Sequence, residues 1–158
     1  MVSLKESLIE NRSIRLRETA ETWQEAVGKA VQPLVQSGAV EVRYEDAIVA
    51  STEHFGPYYI LMDGMAMPHA RPEDGVNRDA FSLVTLENPV AFSDGKKVEV
   101  LLALAATSSE IHTGIAIPQI VALFETPDII AKLKNVQSPE EVLQLIDQAD
   151  LSKYVHEE

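Results

Sequence analysis

Val98-Glu99-Val100-Leu101-Leu102-Ala103-Leu104-Ala105-Ala106 runs apolar almost without a break, and its reading decides the fold. A strand with one wet face alternates apolar and polar residues, so a continuous run suits a central strand covered on both faces. Covering both faces calls for helices on both sides of a sheet. Phe81 to Leu86 is the second clear strand, separated from the first by turn signals at Asn88-Pro89 and Asp94-Gly95. Further out, Ser13 to Arg17 alternates around Ile14 and Leu16 as a short strand. Tyr58 to Met62, bounded by Gly56-Pro57 and Asp63-Gly64, reads as a strand that delivers the chain to the residues after it.

Helices fill the intervals. Thr22-Trp23-Gln24-Glu25 supplies an N-cap with a glutamate three residues on, and Trp23, Ala26, Val27, Ala30, Val31, Leu34 and Val35 come at helical spacing up to Gly38. Pro33 predicts a kink or an early end between Gly28 and Pro33, because an interior proline loses a donor and clashes with the preceding turn. Arg43 to His54 carries Tyr44, Ala47, Ile48 and Ser51 at helical intervals and stops at Gly56-Pro57. Ile115 to Glu125 is a helix that starts either with Pro118 in its first turn or earlier, near His112, with a kink. Thr126-Pro127-Asp128 caps a helix over Ile129 to Leu133, and Ser138-Pro139-Glu140-Glu141 opens a last one through Leu145 or Ile146. The tail from Tyr154 to Glu158 is expected to fray. Alternating helices and strands give an α/β fold, a single domain over residues 1–158 with a mixed sheet of about five strands flanked by helices on both faces.

Composition excludes several chemistries. The chain has no cysteine, which removes disulfides, thiolate metal sites and a cysteine nucleophile. A formal charge of −12 argues against nucleic acid, whose phosphates must be neutralised by Lys and Arg. No apolar run approaches the length of a membrane span and the first residues lack a signal-like apolar core, so a cytoplasmic protein with no membrane insertion is expected. The four histidines, at 54, 69, 112 and 156, form no zinc-type spacing, and no glycine-rich phosphate loop occurs. No cofactor is implied.

The most informative short motif is Met65-Ala66-Met67-Pro68-His69-Ala70. A histidine straight after a proline, just past Gly64 and an apolar run, is held rigidly and can still be reached. Imidazole offers a neutral nitrogen near pH 7, while its second nitrogen can be held by a hydrogen bond. His112 comes after the long apolar strand and the polar link Thr107-Ser108-Ser109-Glu110, at a strand end that hands over to a helix, the usual place for sites in α/β folds.

The motif resembles the phosphohistidine motif of the mannitol/fructose-type (type 2) enzyme IIA proteins of the bacterial sugar phosphotransferase system, and the likeness runs over essentially the whole chain. The extension Arg71-Pro72-Glu73-Asp74-Gly75-Val76 is similar to the L-ascorbate-specific branch in particular. The resemblance implies that His69 is the phosphoacceptor and that His112 lies beside it to steady the phosphoryl group. It implies a relay in which HPr donates the phosphoryl group, a cysteine of enzyme IIB accepts it, and a membrane-spanning enzyme IIC on another chain imports the sugar. Mannitol-type relatives place an arginine in the helix before the motif, whereas the matching stretch here reads Ser51-Thr52-Glu53-His54. Positive charge must come from elsewhere, with Arg71 the nearest candidate and His54 a second. Met62 and His54 also depart from the family signature. Met62, Met65 and Met67 suggest either an adaptable apolar rim for two partner proteins or simple core. The alternatives are a IIA for mannitol, fructose or a pentitol, a IIA-like regulatory module that a partner protein reads, and a metal hydrolase.

Overall fold

The chain places its longest apolar run in the middle of the sheet. The computed structural model describes residues 2–151, so the expectation for Tyr154 to Glu158 and the histidine at 156 lie outside the described residues. Among these, five strands form one sheet: β1 (Ile14–Glu18), β2 (Ile60–Met62), β3 (Gly64–Ala66), β4 (Ala80–Ala91) and β5 (Lys97–Ala105). Their order is β1-β4-β5-β3-β2. β4 and β5 are antiparallel, while β1 runs parallel to β4 and β3 parallel to β5, so the sheet is mixed as expected. Every residue from Val100 to Ala105 is fully buried, which only a strand covered on both faces allows.

Two groups of helices provide that cover. α2 (Trp23–Gln36) and α3 (Arg43–Phe55) pack together, and α2 lies on β4 and β5. The second group is α1 (Leu4–Glu10), α5 (Ile117–Phe124), α6 (Ile129–Asn135) and α7 (Pro139–Ala149). Buried Gln119 ties α1 to α5 by accepting from the Leu4 N–H at 2.8 Å, and Lys5 pairs with Asp147 of α7 at 2.9 Å. No sequence expectation had covered α1, although Ser3 caps it by accepting from Glu6 and Leu4 and Leu8 share its buried face.

Four local expectations change. α2 does not end early at Pro33 but runs on to Gln36. The lost donor falls one turn from the helix end, where burial of Val31, Pro33 and Leu34 outweighs it. Asn88-Pro89 is not a turn; β4 passes through it as a bulge, with Thr85 opposite Val100 and Val90 opposite Val98. Lys134 of α6 donates to the Leu86 and Glu87 carbonyls freed there and pairs with Glu99 at 3.2 Å. Asp128 precedes α6 in a left-handed conformation at φ 57°, so its side chain makes no capping bond. Tyr58 to Met62 contributes only the edge strand β2, and after the turn at Gly64 it is β3 that carries the chain into the motif.

The helical segment begins at Ser109, near the earlier of the two expected starts, and Pro118 also stands in the first turn of α5. Ser108 caps α4 (Ser109–Ile111) by accepting from the Ile111 N–H at 3.2 Å. The chain then widens into a π turn over His112–Ala116, where the Ile117 N–H donates to the His112 carbonyl. Pro118 comes one residue beyond it, after Ile117, and lacks a donor, and a π turn is one way a helix absorbs such a residue.

Candidate functional site

β3 and β5 are neighbours running in the same direction, so the segments beyond their C-terminal ends emerge on one side of the sheet. Met67 to Arg71 continues from β3, and Ala106 to His112 continues from β5. The rings of His69 and His112 therefore meet, with centroids 4.6 Å apart and planes at 51°. They share a cleft lined also by Tyr58, Arg71, Ser108 and Ser109.

Backbone pairing continues past the end of β3 and holds the motif still. The Met67 N–H donates to the Tyr59 carbonyl at 2.9 Å, and the Leu104 N–H donates to the Pro68 carbonyl at 3.1 Å. Tyr44, fully buried in α3, accepts from the Ala70 N–H at 3.0 Å and donates to the Leu104 carbonyl at 2.6 Å. Burial pushes the Tyr44 phenol well above its ordinary range, so it remains a hydroxyl able to do both. On the other strand end, Asp79 accepts from the Thr107 N–H at 2.6 Å and its hydroxyl at 3.0 Å, fixing the exit from β5.

The His69 ring has a defined tautomer. Nδ1 lies 2.9 Å from the Met67 carbonyl oxygen, and a carbonyl can only accept, so Nδ1 carries the hydrogen and Nε2 is left with its lone pair. Burial lowers the His69 pKa, against the opposing pull of the Met67 bond. Burial also lowers that of His112, and any positive charge on His69 lowers it further. Both rings are thus neutral near pH 7, which is the state a nitrogen nucleophile needs. Tyr58 stands edge-on to His69 with centroids 5.5 Å apart, its hydroxyl 3.5 Å from the His69 carbonyl oxygen.

The two charge candidates differ in position. Arg71 lines the cleft, but its guanidinium is engaged by Asp74 at 3.3 Å and Glu73 at 3.9 Å. His54 is exposed near the end of α3, is not among the cleft-lining residues, and its ring meets Phe55 with centroids 4.3 Å apart. Of Met62, Met65 and Met67, the last two are core at 0% and 2% exposure, and Met62, at 41%, faces solvent. Among the described residues no group of three His, Asp or Glu side chains comes together to hold a metal ion.

Sequence reasoning had not singled out Tyr44, Tyr58 or Asp79. Tyr44 carried a signal, since a tyrosine on the buried face of a helix needs a partner for its hydroxyl. Tyr58 and Asp79 carried none, because strand propensity and loop polarity account for both.

Comparisons with known proteins give the family. The family described as "Phosphoenolpyruvate-dependent sugar phosphotransferase system, EIIA 2" matches residues 7–149. The ascorbate-specific PTS system EIIA component of Escherichia coli (strain K12) is 46% identical over 151 residues, which cover 94% of this chain and 98% of that protein. The crystal structure of a protein provisionally named PTS IIA (PtxA) from Streptococcus mutans superposes with a TM-score of 0.94 at 61% identity, covering 97% of this chain and 98% of that one. The solution structure of the mannitol-specific cryptic phosphotransferase enzyme IIA CmtB from Escherichia coli gives 0.82 at 33% identity, covering 93% and 99%.

Proposed function

This chain belongs to the EIIA 2 family of the phosphoenolpyruvate-dependent sugar phosphotransferase system, and on that premise we propose that His69 is the residue that carries the phosphoryl group. Membership makes the protein a phosphotransferase component. The observation that carries the assignment is the close pairing of two imidazoles at 4.6 Å in one cleft, one of them held by its Nδ1 on a backbone carbonyl.

The reaction is a transfer from nitrogen to nitrogen and then to sulfur. The Nε2 lone pair of His69 forms a bond to phosphorus as the bond to a histidine nitrogen of phospho-HPr breaks, its electron pair staying on the donor. The Nδ1–H keeps its hydrogen bond to the Met67 carbonyl throughout. A cysteine thiolate of the cognate enzyme IIB then attacks the same phosphorus, and the electron pair returns to Nε2. Such transfers pass through a loose transition state in which positioning and charge stabilisation do most of the work. His112, neutral and adjacent, donates a ring N–H to the phosphoryl oxygens. Arg71 lies on the same cleft and supplies the positive charge that the stretch Ser51 to His54 lacks.

L-ascorbate is the substrate class we assign to the transport system, supported by the 46% identity to an ascorbate-specific component. The sugar crosses through an enzyme IIC on another chain, and this chain works in the cytoplasm. Among its described residues no single helix is long and apolar enough to cross a membrane.

The test is incubation with labelled phosphoenolpyruvate, enzyme I and HPr. Acid-labile label is expected on the natural chain and on His112→Ala, with transfer from His112→Ala to enzyme IIB slowed on the order of 10²-fold, the usual cost of one lost stabilising donor. Undiminished label on His69→Ala would sink the assignment. Uptake by a strain lacking this chain tests the substrate: ascorbate uptake should fail while mannitol and fructose uptake persist.

A further inference from the structure

Arg71 is the one lysine or arginine among the residues lining the cleft, and its charge is already taken. Nε lies 3.3 Å from Oδ2 of Asp74 and Nη2 3.3 Å from Oδ1. Oδ2 also accepts from the Arg71 backbone N–H at 3.0 Å. The Asp74 carboxylate therefore caps the 3₁₀ turn Pro72–Asp74 and, as the nearer of two carboxylates with Glu73 at 3.9 Å, does most to neutralise the guanidinium.

Two features make this pair exchangeable. The Arg71 side chain is 73% exposed, so breaking the pair returns the guanidinium to water, while the Asp74 carboxylate, at 21%, keeps the Arg71 backbone N–H. The turn itself is also held without the guanidinium. Arg43 donates to the Glu73 carbonyl at 3.0 Å, and the Gly75 N–H donates to the Pro72 carbonyl at 3.4 Å. The guanidinium can leave and the loop keep its shape.

We propose that Asp74 is a positioning residue, a resident counter-ion that holds Arg71 at the cleft and yields it to the phosphoryl group each time His69 is charged. The inference rests on the phosphohistidine reading of His69. A phosphoryl group brings close to two negative charges and matches the arginine fork in bidentate geometry, so it outcompetes one carboxylate. When the group leaves, Asp74 recaptures the guanidinium. A carrier must release what it binds, and a competing carboxylate keeps Arg71 from holding the phosphoryl state too strongly.

The test uses Asp74→Asn, whose side-chain oxygen still accepts from the Arg71 N–H while the charge is gone. The readout is the equilibrium distribution of label between HPr and this chain. Asp74→Asn should shift it toward this chain by about two- to fivefold, the size of one exposed charge pair. Asp74→Glu should restore the natural distribution, and the shift should vanish in an Arg71→Gln background. A natural distribution in Asp74→Asn, or the same shift without Arg71, overturns the inference alone. A natural chain that takes no label overturns the phosphocarrier reading and this inference with it.

Discussion

His69 and Met67 are joined by a 2.9 Å hydrogen bond from ring Nδ1 to backbone carbonyl, so the motif orients its own histidine. Proline between them fixes the backbone at Pro68, and the Leu104 N–H holds the Pro68 carbonyl from the neighbouring strand. The free nitrogen is then Nε2, in the ring that shares its cleft with His112.

Both histidines have pKa values lowered by burial, and His112 is lowered further by charge on His69. In an NMR titration each should show a midpoint below the ordinary value of about 6.5. His69→Gln removes the charge facing His112, so the His112 midpoint should rise. Stability should depend on pH with the same sign. In the unfolded chain these rings take up protons near pH 6.5 while the folded protein still excludes them, so their contribution to stability is intact above about 6.5 and falls as pH drops through the folded values. Urea unfolding at pH 7.5 and 5.5 should show that loss, and it should shrink in the double variant His69→Gln/His112→Gln.

Tyr44→Phe strips a buried hydroxyl that serves two backbone groups of the site, the Ala70 N–H and the Leu104 carbonyl. Leaving them without a partner should cost about 1–3 kcal/mol in chemical denaturation. The loop that carries His69 is loosened as well, so labelling by phospho-HPr should slow by more than the stability loss explains. A variant as fast as the natural chain would show that the loop is held by the strand pairing alone.

Gly64 turns the chain from β2 into β3 at φ 89°, and a methyl group there would meet Ile130 Cδ1 at 3.3 Å. Gly64→Ala should cost about 1–2 kcal/mol, mainly from the left-handed backbone. Gly114, in the π turn, is the contrasting site: its φ is not positive, and a methyl group there would meet nothing within 4 Å. Gly114→Ala should be neutral or stabilising by up to about 1 kcal/mol, and thermal unfolding of the two variants side by side checks both signs.

Elements with a strong local period were legible. The apolar run ending at Ala106, the helix capped by Thr22 and the helix opened by Ser138 all occur where pattern and cap predict, with Thr22 accepting from the Glu25 N–H at 3.2 Å. Errors fell where a local signal was overruled by packing. Pro33 is absorbed because its helix buries a full face, and Asn88-Pro89 is carried as a bulge because Lys134 serves the carbonyls left unpaired.

By itself the sequence determined the layers, the central strand and the motif around His69, since each depends on the order of residues within one short segment. Only the tertiary structure decided what His69 faces. His112 reaches it because β3 and β5 run parallel and adjacent, an outcome of sheet order between distant segments that no local period encodes. The fate of Arg71 was decided there too: nearness along the chain put it beside the motif, while the fold of the 72–74 turn handed its charge to Asp74.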